Sequence, residues 1–183
     1  MAATTTTLTR SMLEKNDSAA VRRADFDAFY ANNVKQITAQ IRAYTGDLAE
    51  AEDLVAEAFT RALTRWKTIS EYDNPAVWVR RVAWNLATSR LRRGAFARRL
   101  LRRQRVRDVA GPAPDRIDLE RALAKLNERH RKAIILRYMA DMSTTEIADQ
   151  EGVAEPTVRS WITRGRAVLA EHLRIDDPTE EQR

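Results

Sequence analysis

The sequence predicts an all-α chain of two small helical blocks joined by a basic, flexible linker. Three observations predict it. Apolar residues recur at three- and four-residue steps through most of the chain, and no stretch alternates as a half-buried strand would. Only five glycines and five prolines punctuate 183 residues, of which 32% are charged and 44% hydrophobic, a composition suited to helices with real cores. The clearest break, Gly-Pro-Ala-Pro at 111–114, follows an arginine-rich run and divides the periodic segments into two groups.

Residues 1–23 are rich in Thr, Ala and Ser and show little periodicity, so a mobile tail is expected, with a short helix near Met12 and Leu13 as the alternative. From Asp25 onward Phe26, Phe29, Tyr30, Ile37, Ile41 and Tyr44 share one helical face, and Gly46 suits the stop. Asp47 fits an N-cap with Glu50 in capping-box position. The helix that follows aligns Leu54, Val55, Ala58, Phe59, Ala62 and Trp66. "KTISEYDN" breaks the period; Asn74 can cap a third helix with Pro75 in its first position. The first block therefore spans 24–95. The linker, 96–117, belongs to a run from Arg90 to Arg107 that holds nine arginines and no acid. Either that run extends a helix that tracks phosphates, or it is a solvated basic connection. The second block, 118–175, opens near Asp118. Leu119, Leu123 and Leu126 mark one helix, and Ala133, Ile134, Leu136 and Tyr138 mark another. Two more helices with a tight turn follow, and 176–183 is a frayed tail.

Net charge is +6 and the pI is near 10.0, which favours an anionic partner such as nucleic acid or a membrane surface. The absence of cysteine excludes disulfides, a thiolate nucleophile and a cysteine-based zinc site. His130 and His172 have no ligand spacing, so no metal or other cofactor is expected. No phosphate-cradling loop or nucleophile constellation supports catalysis. No apolar run or signal peptide is evident, and a cytoplasmic location is the default expectation.

Three segments carry functional information. In "MSTTEIADQEGVAEPTVRSWITRGRAVL", Ser143 and Glu146 form a capping box, Ala148 is small, Gly152 takes a turn and Val158 closes the core, the spacing of a helix-turn-helix. Pro156 is tolerated only in a first turn, which starts the second helix near Glu155. That helix exposes Thr157, Arg159, Ser160, Thr163 and Arg164, residue types that read base edges and phosphates in a major groove. Second, Gly46 to Phe59 holds five acids and no base. Acids favour a helix N-terminus, which accounts for Asp47 and Glu50; Asp53 and Glu57 point instead to a basic protein partner. Third, in "DNPAVWVRRVAWNLATSRLRR" a helical wheel puts Val79, Val82, Ala83 and Leu86 on one face and Arg81, Trp84, Asn85, Thr88 and Arg92 on the other. An aromatic among basic and polar groups suits base stacking beside phosphates. An exposed tryptophan or a contact between domains is the alternative.

These segments, with "AEDLVAEAFTRALTRW", resemble in order and spacing the group 4, or extracytoplasmic-function, bacterial sigma factors of the sigma-70 family, over about residues 24 to 175. The resemblance implies a promoter-melting sigma-2 domain, a linker threading toward the polymerase active-site channel, and a −35-binding sigma-4 domain. It implies that Glu52, Asp53, Leu54, Glu57 and Arg61 dock on the clamp helices of the large subunit of RNA polymerase core. Lys67, Ser70, Tyr72 and Asn74 would line the pocket for a flipped −10 base, with Arg81, Trp84, Asn85 and Thr88 on the −10 recognition helix. Thr157, Arg159, Ser160, Thr163 and Arg164 would read −35 DNA. Promoter DNA and core polymerase are the implied partners, and the resemblance leaves room for an anti-sigma factor. Ala56 stands where many relatives carry glutamine, and Ala154 where serine is common. A stand-alone helix-turn-helix regulator is the alternative function, and it gives no reason for the acidic helix.

Overall fold

The computed structural model describes the backbone of residues 3–100 and 114–174, and the side chains of residues 21–93 and 119–173. Among the described residues every element is helical: α1 (Ala3–Thr45), α2 (Leu48–Thr64), α3 (Trp66–Ile69), α4 (Pro75–Leu100), α5 (Pro114–Lys125), α6 (Glu128–Tyr138), α7 (Thr144–Glu151) and α8 (Glu155–Arg174).

The punctuation acts where the side-chain chemistry requires. Gly46 ends α1 at φ +80°, its amide donating to the Arg42 carbonyl at 2.7 Å. Asp47 caps α2 by accepting from the Glu50 amide at 2.9 Å, while the Glu50 carboxylate pairs with Arg90 of α4 at 3.2 Å. Trp66–Ile69 closes a single turn at the start of the aperiodic stretch. Asn74 then accepts from the Val77 amide at 3.3 Å, and Pro75 opens α4.

Three boundaries differ from expectation. Helix α1 begins at Ala3 rather than near Asp25, because neither Gly nor Pro interrupts the chain before Gly46. Helix α4 runs on to Leu100 through arginines, which are good helix formers. Helix α5 starts at Pro114, a residue suited to a first turn, ahead of Asp118. The remainder of the expected linker, 101–113, and the tail 176–183 lie outside the described residues.

In the first half, Phe26, Ile37 and Ile41 of α1 pack on Val55, Ala58, Phe59 and Ala62 of α2, with Trp66, Ile69, Val79, Ala83 and Ala87 closing the core. Phe26 meets Trp66 edge-on at 5.2 Å between ring centroids, and Tyr30 meets Phe59 at 4.9 Å. In the second half, Leu123, Leu126, Ile135 and Leu136 pack with Ile147, Ala148, Val158 and Ile162. Tyr138, expected on the apolar face of α6, is instead exposed.

The two halves do not stand apart. Helix α1 packs against α5 and α6, and the two cores form one continuous cluster. Polar groups fasten the seam. Arg42 pairs with Glu120 at 3.2 Å, and the Tyr44 hydroxyl donates to Glu128 at 3.0 Å. Arg131 donates to the Tyr44 carbonyl at 3.0 Å, Gln40 to the Met139 carbonyl at 3.2 Å, and Arg80 to the Ala140 carbonyl at 2.9 Å.

Helix α8 lies so close to α6 that a Cβ on Gly165 would sit 2.8 Å from Ile134 Cγ1 and 3.3 Å from its Cδ1. Gly165→Ala is therefore expected to destabilise the fold by about 1–3 kcal/mol through overpacking. Urea denaturation checks this; an unchanged midpoint contradicts the close approach.

Candidate nucleic-acid interface

The helix-turn-helix is built from α7 and α8. Its capping box is complete: the Ser143 hydroxyl accepts from the Glu146 amide at 3.2 Å, and the Glu146 carboxylate accepts from the Ser143 amide at 2.7 Å. Those bonds from Ser143 hold the Glu146 carboxyl below the usual carboxylate range. Gly152 takes the left-handed turn at φ +66°, and Ile147 and Val158 are fully buried beneath it. The start of α8 is tied to the start of α7, because the Thr144 hydroxyl donates to Glu155 Oε1 at 2.5 Å. The same oxygen accepts from Arg159 at 2.7 and 3.1 Å. Thr144 first, and Arg159 after it, hold the Glu155 carboxyl low. Thr157, Arg159, Thr163 and Arg164 are exposed, and Ser160 is half-exposed. Glu155 thus holds the Arg159 guanidinium along the outer face of α8 through Nε and Nη2, and its other N–H donors remain able to bond elsewhere.

On α2, Glu52, Asp53, Glu57 and Arg61 are exposed, with Glu57 and Arg61 paired across one turn. Leu54 is only 8% exposed and belongs to the core, which corrects its expected place on the docking face. Its position follows the apolar set Leu54, Val55, Ala58, Phe59; the acids flank that set rather than include it. Beside them Tyr30, Val34, Leu48 and Ala56 line a cleft of about 480 Å³ between α1 and α2.

Around the α3–α4 turn, Lys67, Ser70, Tyr72 and Asn74 are all exposed. On α4 the expected polar stripe splits in two. Arg81, Asn85 and Arg92 face solvent. Trp84 does not: it is 0% exposed, which corrects the expectation that it lies on an open basic face. The next row round the helix, Arg80, Trp84 and Thr88, is covered by α1 and α6. The Tyr44 ring lies 4.9 Å from the Trp84 ring, and Lys132 Nζ sits 5.5 Å above it. Lys132 is itself buried; its ammonium donates to Thr88 Oγ1 at 3.2 Å and pairs with Glu151 of α7 at 2.7 Å. Burial pushes the Tyr44 hydroxyl well above its ordinary pKa, and burial likewise lowers that of Arg80. The wheel identified a face opposite the α2 core correctly, but no periodicity tells a face open to solvent from one covered by a distant helix.

Lys132 and Arg80 thus enter the neighbourhood of the site without having been singled out in the sequence, and Tyr44, expected only as a core residue, joins them. Lys132 sits in "RKAIIL", where a lysine preceding apolar residues reads as an ordinary helix charge. Thr88 and Arg92 from α4 and Arg164 from α8 line one cleft of about 880 Å³, together with Lys132, Glu151 and Trp161. Among the described residues no helix is long and apolar enough to cross a membrane, and no cluster of metal-ligating side chains occurs.

Residues 29–97 match the family model for sigma-70 region 2, and residues 116–169 match that for sigma-70 region 4. The chain is 32% identical over 158 residues to the ECF RNA polymerase sigma factor SigL of Mycobacterium tuberculosis, covering 81% of this chain and 89% of that protein. It is 27% identical over 186 residues to the ECF RNA polymerase sigma factor SigW of Bacillus subtilis, covering 89% and 98%. The sigma factor RpoE of Bartonella quintana, solved in complex with the anti-sigma factor NepR, superposes with a TM-score of 0.72. That match has 25% identity and covers 83% of this chain and 98% of that one.

The burial of Trp84 sets an expectation that an exposed stacking residue would not. Trp84→Ala should cost about 3–5 kcal/mol of stability, as for other aromatic truncations in a packed core. Chemical denaturation measures it, and a change within ±0.5 kcal/mol, typical of a surface site, would contradict the burial.

Proposed function

This chain belongs to the extracytoplasmic-function sigma factors of the sigma-70 family, and we propose that it directs initiation through three separate surfaces. The coarse function follows from membership: it is a sigma factor for transcription initiation. The finer assignment is that α2 docks on the clamp helices of core polymerase, the α3–α4 turn with α4 holds the melted −10 strand, and α8 reads −35 duplex. The protein contributes binding energy and specificity, not catalysis.

The observation that carries the assignment is the segregation of charge over exposed faces. Glu52, Asp53 and Glu57 make an acidic face on α2, while Arg81 and Arg92 on α4 and Arg159 and Arg164 on α8 make basic ones. An acidic helix repels DNA and suits a basic protein surface, so polymerase and promoter bind without competing. On α8, Arg159 and Arg164 are suited to guanine edges or phosphates, and Thr157, Ser160 and Thr163 to either. On α4, flipped-out −10 bases would be held against Arg81 and Asn85 near Lys67, Ser70, Tyr72 and Asn74. Captured bases offset an unpairing cost of roughly a few kcal/mol per nucleotide. An anti-sigma factor is a third proposed partner, by extension from the Bartonella quintana complex.

In vitro transcription with core polymerase tests the proposal. The full chain should associate with core and yield RNA from a defined start site, with promoter binding that weakens steeply as salt rises. Failure to associate and to direct start-site-specific RNA would overturn it. Within that assay, Arg159→Ala should relax preference at one −35 base by about 1–3 kcal/mol. An equal loss on every sequence would make Arg159 a phosphate contact instead.

A further inference from the structure

The cleft of about 880 Å³ among α4, α6 and α8 carries an excess of positive charge. Arg92, Arg129, Lys132 and Arg164 line it, against the carboxylates of Glu128 and Glu151. Both carboxylates are engaged. Glu151 pairs with Lys132 at 2.7 Å, and Glu128 accepts from the Tyr44 hydroxyl at 3.0 Å. Arg92, Arg129 and Arg164 remain, all exposed, and among the described residues none of the three has an ion pair.

The donors in this cleft are set but unspent. The Arg129 guanidinium lies 6.0 Å over the Trp161 ring rather than on an acid. A π face orients a guanidinium without consuming its N–H donors. The Asn127 amide donates to His130 Nδ1 at 3.0 Å, which leaves the ring proton on Nε2 as a further donor. Burial, and after it the Arg164 charge, lower the His130 pKa, so the imidazole is neutral at pH 7 and that tautomer persists. Guanidinium groups with spare donors bind phosphate oxygens through charge-assisted, often bidentate bonds. Three of them around one cleft match a chain of phosphates better than a single one. The volume falls within the roughly 300–1,000 Å³ of small-ligand pockets, and half-buried Trp161 supplies a flat apolar wall.

We propose that this cleft binds a small polyphosphate anion, free or carried by a nucleotide, through Arg92, Arg129 and Arg164. Arg92 and Arg164 also belong to the basic faces assigned above to promoter DNA, so a bound polyphosphate competes with DNA for them. That competition rests on the proposed promoter surfaces; the binding itself does not.

Isothermal titration calorimetry on the full chain, at constant ionic strength, tests the site with sodium tripolyphosphate and with ATP as probes. One anion should bind per chain. Arg129→Gln should weaken it about tenfold or more, as the loss of charge-assisted bonds requires, and Arg164→Gln should do the same. Arg166→Gln removes an equal charge from an exposed position of α8 outside the cleft, and should change the affinity by about twofold at most. Tighter binding of ATP than of tripolyphosphate assigns a nucleotide with its base against Trp161, and equal binding assigns the phosphate chain alone; either supports the site. No saturable binding, several weak equivalents per chain, or equal losses in Arg129→Gln and Arg166→Gln would overturn it. At about ten times its own Kd, tripolyphosphate should also weaken binding of a −35 duplex about tenfold. Saturable binding without that competition would overturn the promoter role of Arg92 and Arg164 and leave the cleft assignment intact.

Discussion

Trp84 meets both the tilted Tyr44 ring and the Lys132 ammonium, and the relation between the two halves depends on those contacts. Tyr44 closes α1, Trp84 stands midway along α4, and Lys132 lies in α6, so one contact ties three elements that are remote in sequence. Around it the polar bonds fall into place: Arg131 reaches the Tyr44 carbonyl, Tyr44 reaches Glu128, and Lys132 reaches Thr88 and Glu151. A buried Lys–Glu pair contributes little net stability against apolar residues of similar size, but losing one partner strands a charge. Such a pair specifies one docking geometry more than it strengthens it. The Trp84 indole nitrogen is buried without a partner, at a cost of about 1–3 kcal/mol.

The division of labour among the helices follows from where apolar residues run out. Helix α2 gives one side to Val55, Ala58, Phe59 and Ala62 and leaves acids on the other. Helix α8 gives Val158 and Ile162 to the core and leaves Thr157, Arg159, Thr163 and Arg164 outside. Helix α4 is covered twice, by α2 through Val79, Ala83 and Ala87 and by α1 and α6 through Trp84. Arg81, Asn85 and Arg92 stay exposed.

Local chemistry was legible in the sequence. The Ser143–Glu146 capping box, the Gly152 turn, the Asp47 and Asn74 caps and the start of α8 at Glu155 each depend on residues within four positions of one another. The family itself was legible because three such local patterns recur in fixed order. Long-range contacts were not. Nothing near Trp84 signals that a lysine 48 positions later will cover it, and the Leu54 side chain falls between two assignments that only packing separates. The extent of α1 was missed for another reason: a Thr- and Ser-rich segment lacks apolar periodicity, yet without Gly or Pro it continues a helix already nucleated downstream.

Solvent access to Trp84 tests the central claim most directly. With 5-fluorotryptophan at the four tryptophans, Trp84→Phe assigns the Trp84 resonance in the fluorine spectrum. The account predicts no solvent isotope shift for that resonance in the free chain, as the full burial of Trp84 requires. A Trp84 resonance that is already solvent-accessible in the free chain would contradict it.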